Sequence, residues 1–279
     1  MRNRILAGLG VAALATAGIA VPANALSSTT ADVWVVHAFP GVTVDVFING
    51  ELAIDAFAPG DVEPLVDVAP GNYVIDIAAD SADTTITPGD GLFGTGAAGV
   101  DVAAATSYSL VAHPDTSGDP ILTPFVNDLS SVGAGNASVT VRHTANAPAV
   151  NVVALPDTVL FSGVTNTQQG TTSVPAGTYD IQVQVAADDS VAIDLPDTAL
   201  ADGTHYFIHA FGPQQDDSFS VVIFTIGDTP SGVPGGSAGL VAENGDNAAG
   251  ALAGAAVLLA LLAAAGVVIA RRQALKAER

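Results

Sequence analysis

The chain has no cysteine, which excludes disulfides, thiolate nucleophiles and Cys-ligated metal centres. It is almost as poor in positive charge. Of seven Lys and Arg, two lie at the N-terminus (Arg2, Arg4) and four in the last nine residues (Arg271, Arg272, Lys276, Arg279). The 222 residues of 26–247 contain one basic residue, Arg142, against 27 acids, a net charge of −26. Such a surface cannot neutralise phosphates, so nucleic acid is excluded as a partner. Aromatic residues make up 5% of the chain, with a single tryptophan, Trp34. That leaves little material for a sugar-stacking platform. No Walker loop, dinucleotide fingerprint or HExxH is present, and no segment of the body sustains a long helical period.

The basic residues that do exist flank apolar runs. Arg2 and Arg4 precede an uncharged stretch over 5–21, and Ala23-Asn24-Ala25 offers small residues two apart. These are the parts of a secretory signal, with cleavage expected after Ala25. A second uncharged run opens at Ala248 and closes at Ala270. As a helix it spans about 34 Å, enough to cross a bilayer. Arg271, Arg272, Lys276 and Arg279 follow and are expected to stay cytoplasmic, which places the body outside. Val241-Ala242-Glu243-Asn244-Gly245 stands where a sortase signal would stand and is similar to the L-A-x-T-G class. Val241 and Asn244 depart from that pattern, so a retained membrane anchor is preferred to covalent wall attachment.

The body contains an internal repeat. VVHAFPGVTVDVFING (35–50) aligns with VRHTANAPAVNVVALP (141–156) at an offset of 106. The same offset carries Gly71-Asn72-Tyr73 onto Gly177-Thr178-Tyr179. Tyr108-Ser109-Leu110 matches Tyr206-Phe207-Ile208 at an offset of 98, so the second copy is eight residues shorter there. The periodicity is that of strands. Val42, Val44, Val46 and Ile48 fall on one face, with Thr43 and Asp45 on the other; Tyr179, Ile181, Val183 and Val185 alternate with polar residues. Asn49-Gly50 between two such runs predicts a tight hairpin, because both positions accept positive φ. APGNY (69–73) and PAGTY (175–179) are similar to a tyrosine corner, in which the hydroxyl bonds back to the backbone. The Leu-Pro-Asp-Thr runs at 155–158 and 195–198 resemble sortase letters but lie inside the second copy and are expected to be turns.

The run V-V-H-A-x-P-x-V-x-V-D-V-x-I-N-G, followed by P-G-x-Y-x-I-x-I, resembles the domain-of-unknown-function family 4397. The resemblance implies tandem immunoglobulin-like β modules of an exported bacterial surface protein, and it transfers no catalytic residue. The second copy departs from the pattern with Asn151 in place of Asp and Ala154-Leu155-Pro156 in place of the Asn-Gly turn.

The groups able to do chemistry are few. His37 and His143 are a matched pair ending alternating runs, and are expected to be satisfied core residues. His205 and His209 are four apart, which on a strand separates them by about 13 Å, too far to share an ion. Gly235-Gly236-Ser237-Ala238-Gly239 has the letters of a nucleophile elbow but lies in a Gly/Pro/Ser-rich stalk without the strand and helix the mechanism needs. The aspartates cluster at expected loops: Asp80 and Asp83, Asp115 and Asp119, Asp188 and Asp189, Asp216 and Asp217. Loop oxygens of this kind bind calcium weakly in extracellular modules, at about 10⁻⁴–10⁻³ M. The alternative is a solubilising acidic surface.

The expected organisation is a signal peptide (1–25), a β-sandwich module (26–126), a linker (127–136), a second β-sandwich module (137–226), a stalk (227–247), a transmembrane helix (248–270) and a basic tail (271–279). The expected role is a non-enzymatic cell-surface protein for adhesion or scaffolding, with an envelope polymer or surface protein as partner and no cofactor beyond the calcium option. A polysaccharide- or small-ligand-binding receptor and a passive spacer are the alternatives.

Overall fold

The computed structural model describes residues 20–21 (backbone), 26–213 and 219–227, and among them there is no helix. The signal peptide apart from Ala20 and Val21, the stalk beyond Gly227, the 248–270 run, the basic tail, Asp216, Asp217, the 235–239 motif and the 241–245 motif lie outside the described residues. Among the described residues no helix is long and apolar enough to cross a membrane.

After β1 (Ala20–Val21), the first half of the body contains β2 (Ala31–His37), β3 (Val44–Ile48), β4 (Glu51–Phe57), β5 (Val62–Val68), β6 (Gly71–Tyr73), β7 (Ile75–Ala79), β8 (Phe93–Gly94), β9 (Val100–Val102), β10 (Ser107–Pro114) and β11 (Pro120–Asn127). The second half contains β12 (Asn136–Arg142), β13 (Val150–Ala154), β14 (Thr158–Val164), β15 (Gln169–Pro175), β16 (Gly177–Val185), β17 (Val191–Leu200), β18 (Thr204–Phe211) and β19 (Ser220–Gly227). Each half is built from two four-stranded sheets. The first has β11-β10-β2-β5 and β4-β3-β7-β8, with a small β6-β9 ribbon. The second has β19-β18-β12-β15, with β1 added at the β19 edge, and β14-β13-β16-β17.

The two halves share one core topology, and at several places the same register. Ala31 lies opposite Val68 as Ala137 lies opposite Val174. Asp32 lies opposite Ser107, in parallel strands, as Ser138 lies opposite His205. Val44 lies opposite Ala79 as Val150 lies opposite Val185. These pairs differ by the sequence offsets 106 and 98. A slip of one residue would turn every core side chain outward, so the match fixes the same inward set in both. Val33, Val35, Val44, Val46, Ile75 and Ile77 fill the first core, and Val139, Val141, Val150, Val152, Ile181 and Val183, their counterparts, fill the second. Each such side chain contributes about 1.5–3 kcal/mol on burial.

Turn chemistry repeats as well. Asn49 and Gly50 adopt φ of 52° and 86°, which makes the expected two-residue hairpin. A Cβ on Gly50 would sit 2.5 Å from the Ile86 carbonyl oxygen. In the second copy Leu155-Pro156-Asp157 makes a three-residue turn with a cis Leu155–Pro156 bond, so the hairpin survives the change of letters. The tyrosine corners form in both copies: Tyr73 Oη donates to the Ala69 carbonyl at 2.8 Å, and Tyr179 Oη to the Pro175 carbonyl at 2.7 Å. Tyr108 and Tyr206 are a second matched pair, whose hydroxyls accept from Ala103 N–H at 3.2 Å and Ala201 N–H at 2.8 Å.

Three strand-face expectations need correction. Val42 precedes β3 and is 49% exposed rather than core. Asp45 is buried, although its alternation places it on the outer face of its sheet. The 80–99 segment crosses that face: Ser81 N–H donates to Asp45, and Gly89 and Gly91 N–H groups donate to Asp76. The 195–198 run is not a turn but lies within β17 at a register shift, where Asp197 has φ of 52° and its N–H donates to Asp180 Oδ1.

Candidate functional site

β2 is apolar on both faces. Its odd-numbered residues enter the first core, while Trp34 and Val36 point the other way. They meet Phe207, Val222 and Phe224 of the second half in a third apolar cluster, which also holds Val62, Val111 and Phe125. The two halves are therefore packed face to face, β11-β10-β2-β5 against β19-β18-β12-β15. Trp34 stacks on Phe224 with ring centroids 4.6 Å apart, and Phe224 stacks on Phe207 at 4.9 Å. Aromatic pairs of this kind add about 0.5–1.5 kcal/mol beyond the area they bury.

The second half supplies a polar band to this junction. Alternation on β12 sends Ser138, Thr140 and Arg142 across, all of them buried. Arg142, the one basic residue of the acidic body, is 0% exposed. Its Nη1 donates to Ser109 Oγ at 2.8 Å and to His209 Nε2 at 3.1 Å. Its Nη2 donates to Asn127 Oδ1 at 2.7 Å, and its Nε to Gln169 Oε1 at 3.0 Å. The guanidinium carbon lies 4.8 Å from the Phe125 ring centroid and 5.2 Å from that of Phe207. Partners come from both halves, so the side chain works as a bolt. The hydrogen-bond acceptors it meets are neutral. Burial pushes its pKa down to about 9, which leaves it charged at neutral pH. Asn166 adds a second tie, donating to the Pro114 carbonyl at 3.0 Å and the Ala145 carbonyl at 2.9 Å.

All five histidines are buried. His37 and His143 clamp matching loops: Nε2 of each donates to a carbonyl five residues on, Val42 at 3.0 Å and Pro148 at 2.9 Å. In the first copy His37 Nδ1 also accepts from Phe39 N–H at 3.3 Å. His143 Nδ1 has no hydrogen-bond partner. Burial lowers the pKa of both. His205 and His209 lie on β18 as expected of a strand, not a helix. His209 accepts from Arg142, so it is neutral with its proton on Nδ1, directed at the Val222 carbonyl at 3.3 Å. Burial and then the Arg142 charge hold its pKa well below 6.5. His113 donates from Nδ1 to the Pro114 carbonyl at 2.9 Å and accepts from Thr123 Oγ1 at 2.8 Å; burial lowers its pKa to about 4. These four rings, of His37, His113, His143 and His209, act as hydrogen-bond donors and acceptors within the fold.

The acidic candidates separate into turn formers and one cluster. Asp115 Oδ1 accepts from Ser117 and Asp119 N–H groups and so closes its own turn. Asp188 accepts from Ser190 Oγ and N–H, bonds that lower its pKa, and neighbouring Asp189 takes φ of 56°. Asp83 and Asp119 are exposed. Among the described sequence candidates Asp80 alone joins other carboxylates across the fold: Asp45, Asp55 and Asp80 bring oxygens within 4.8 Å of one another. Three such oxygens are a hard donor set of the calcium type. Both oxygens of Asp45 already accept backbone N–H bonds, from Ala56 at 2.9 Å and Ser81 at 2.9 Å. Sequence spacing misses Asp45 and Asp55 because they come from β3 and β4 and meet Asp80 only after the hairpin folds. The second copy has Asn151 at the place of Asp45, and its Oδ1 accepts from Gly163 N–H at 2.9 Å, the same bond without the charge.

A cavity of about 20 Å³ lies in the second core, lined by Val139, Val152, Ile181, Ile208 and His143 among others. It has room for about one water molecule and none for a substrate. Trp34, the natural sugar-stacking residue, is 3% exposed and spent in the junction.

Fold and site together define a duplicated all-β protein whose halves are bolted through a buried arginine. Residues 31–153 match the family model described as Domain of unknown function (DUF4397). The match runs from β2 to the end of β13 but one residue, and so spans the junction residues Trp34, Ser109, Asn127 and Arg142. No curated protein matches the chain in sequence. Among solved structures, a Bacteroides uniformis protein assigned provisionally to cell adhesion aligns with 72% of this chain and 98% of its own, at 7% identity and a TM-score of 0.24. A likeness of that size carries no weight for fold or role.

Proposed function

We propose that the chain is a non-enzymatic cell-envelope protein in which two immunoglobulin-like, acidic modules act as one rigid element of adhesion or scaffolding. The expected signal peptide and the 248–270 run place it as a single-pass surface protein with its body outside; sortase anchoring at 241–245 is the alternative attachment. One observation carries the reading: the imidazoles and the guanidinium of the described body are buried, and Arg142, His37, His113, His143 and His209 hydrogen-bond its parts together, while its exposed charge is acidic. Buried groups without access to a substrate do not turn over, whereas a stiff acidic body suits presentation of loops and edges. A polysaccharide receptor lacks support, because Trp34 is buried and the four tyrosine hydroxyls serve backbone contacts.

The test is co-sedimentation of the full chain, in detergent, with envelope fractions from cells lacking it, in calcium and in EDTA. Saturable pelleting supports the adhesive reading, and its loss in EDTA would direct attention to Asp45, Asp55 and Asp80. No pelleting in either condition would leave a passive spacer.

A further inference from the structure

β19 has the composition of a central strand. Val221 and Ile223 pack into the second core, while Val222, Phe224 and Ile226 pack into the junction. From Ser220 to Gly227 it carries no charge and no proline, and it pairs with β18 over eight residues without a register shift. A strand covered on both faces usually has neighbours on both sides. Yet among the described residues its outer side is paired only by the two residues of β1, at Thr225 and Ile226.

The other long edge strands are defended. Its counterpart β11 contains Pro120 and Pro124, which remove edge donors. β5 carries Glu63, Pro64 and Asp67, and β17 carries Asp194, Pro196 and Asp197. β4 carries Glu51 and Asp55. β4 and β14 pair across bulges, which twist an edge away from flat pairing. β15 is largely polar and ends on Pro175. Only β19 among these is long, flat, uncharged and apolar.

A second observation shows what suits the edge. Ala20 and Val21 lie against it as a short parallel strand, Ala20 opposite Thr225 and Val21 opposite Ile226. Both belong to the segment expected to leave with the signal peptide, whose removal would bare the β19 edge.

We propose that β19 of the mature protein accepts an extended, uncharged apolar strand of another envelope protein, added in parallel where Ala20 and Val21 pair. The proposal rests on the surface-protein reading and names its partner's chemistry. Main-chain hydrogen bonds to the open edge would supply affinity, as in strand addition generally. A second copy of the chain is a poorer occupant, since residues 26–247 carry a net charge of −26 and two such bodies repel.

The probe is a synthetic peptide of residues 16–22, and the protein is the full chain isolated in detergent from its own envelope, with its N-terminus determined. The expected result is an N-terminus at Leu26 and saturable, one-to-one peptide binding. N-methylation of the peptide at Ala20 and Val21, which deletes strand donors but not side chains, should weaken binding about tenfold or more. Thr225→Lys, a charge where Ala20 pairs, should abolish it in a variant shown by its melting transition to be folded. The same variant should lose envelope pelleting. Equal binding of the N-methylated peptide, or no binding, overturns the proposal. So does an N-terminus that retains residues 1–25, which would keep the edge closed by its own chain. A dimer dissociated by Thr225→Lys would also overturn it, in favour of self-pairing. Envelope pelleting that persists in Thr225→Lys defeats the edge proposal and leaves the surface reading standing.

Discussion

The first half of the body and the second share their core topology, several registers and their corner tyrosines, yet they present different chemistry where they meet. Position for position, Val36 of the first copy corresponds to Arg142 of the second, Trp34 to Thr140, Val111 to His209 and Ser109 to Phe207. The matched positions thus carry different side chains that meet across the junction: Arg142 of the second half bonds Ser109 of the first, and Trp34 of the first stacks on Phe224 of the second. Two identical faces could not do this. The duplicated fold has kept what each core requires, the inward valines and isoleucines and the backbone clamps, and has diverged on the outer faces. The divergence makes the halves complementary to each other rather than to themselves.

The sharpest way to break this complementarity is Arg142→Ala. Loss of the guanidinium strands buried acceptors on Ser109, Asn127 and His209, and the expected cost is about 3–5 kcal/mol. Calorimetry should show a lower melting temperature and a transition that separates into two, one for each half.

Acid should act next most strongly. Burial holds His113 down to about 4, and His37, His143 and His209 below their ordinary value. The unfolded chain therefore takes up these protons first. Stability from them is complete above about pH 6.5 and falls as the pH drops from there towards 4, by about 3 kcal/mol for His113 alone. His113→Phe, which copies the matching Phe211 of the second half, should flatten that part of a melting-temperature profile between pH 7 and pH 4.

A smaller effect separates charge from hydrogen bonding at the hairpin bulges. Asp45→Ala leaves the Ala56 and Ser81 N–H groups without their acceptor and should cost about 1–3 kcal/mol. Asp45→Asn imports the residue of the second copy and should cost less than half as much, by chemical denaturation. The smallest expected change is a gain. Ala56 holds φ of 52° where the second copy has Gly163 at 66°. Ala56→Gly should relieve left-handed strain and stabilise by about 0.5–1 kcal/mol, measured by the same denaturation.

The repeat, its registers, the Asn49-Gly50 turn and the tyrosine corners were legible in the sequence because each rests on local pattern: alternation, a turn dipeptide, a hydroxyl four residues from its acceptor. The buried outer faces were not. Asp45 alternates like a solvent residue, and only the crossing of 80–99 covers it. Trp34 and Val36 turned β2 into a two-faced strand, a sign of double burial, but nothing local said that the second cover would be the other copy. Arg142 stood out only as the one basic residue of the body, since its partners are spread from 109 to 209 along the chain. The carboxylate cluster was half legible: Asp80 stood among the loop acids, whereas Asp45 and Asp55 meet it only through the β3–β4 bulge.

The central claim is that the two halves are one cooperative body. Calorimetric unfolding of the full chain at pH 7 tests it most directly. The account predicts a single transition whose calorimetric and van't Hoff enthalpies agree for both halves together. Two separable transitions in the unmutated protein, each the size of one half, would contradict it.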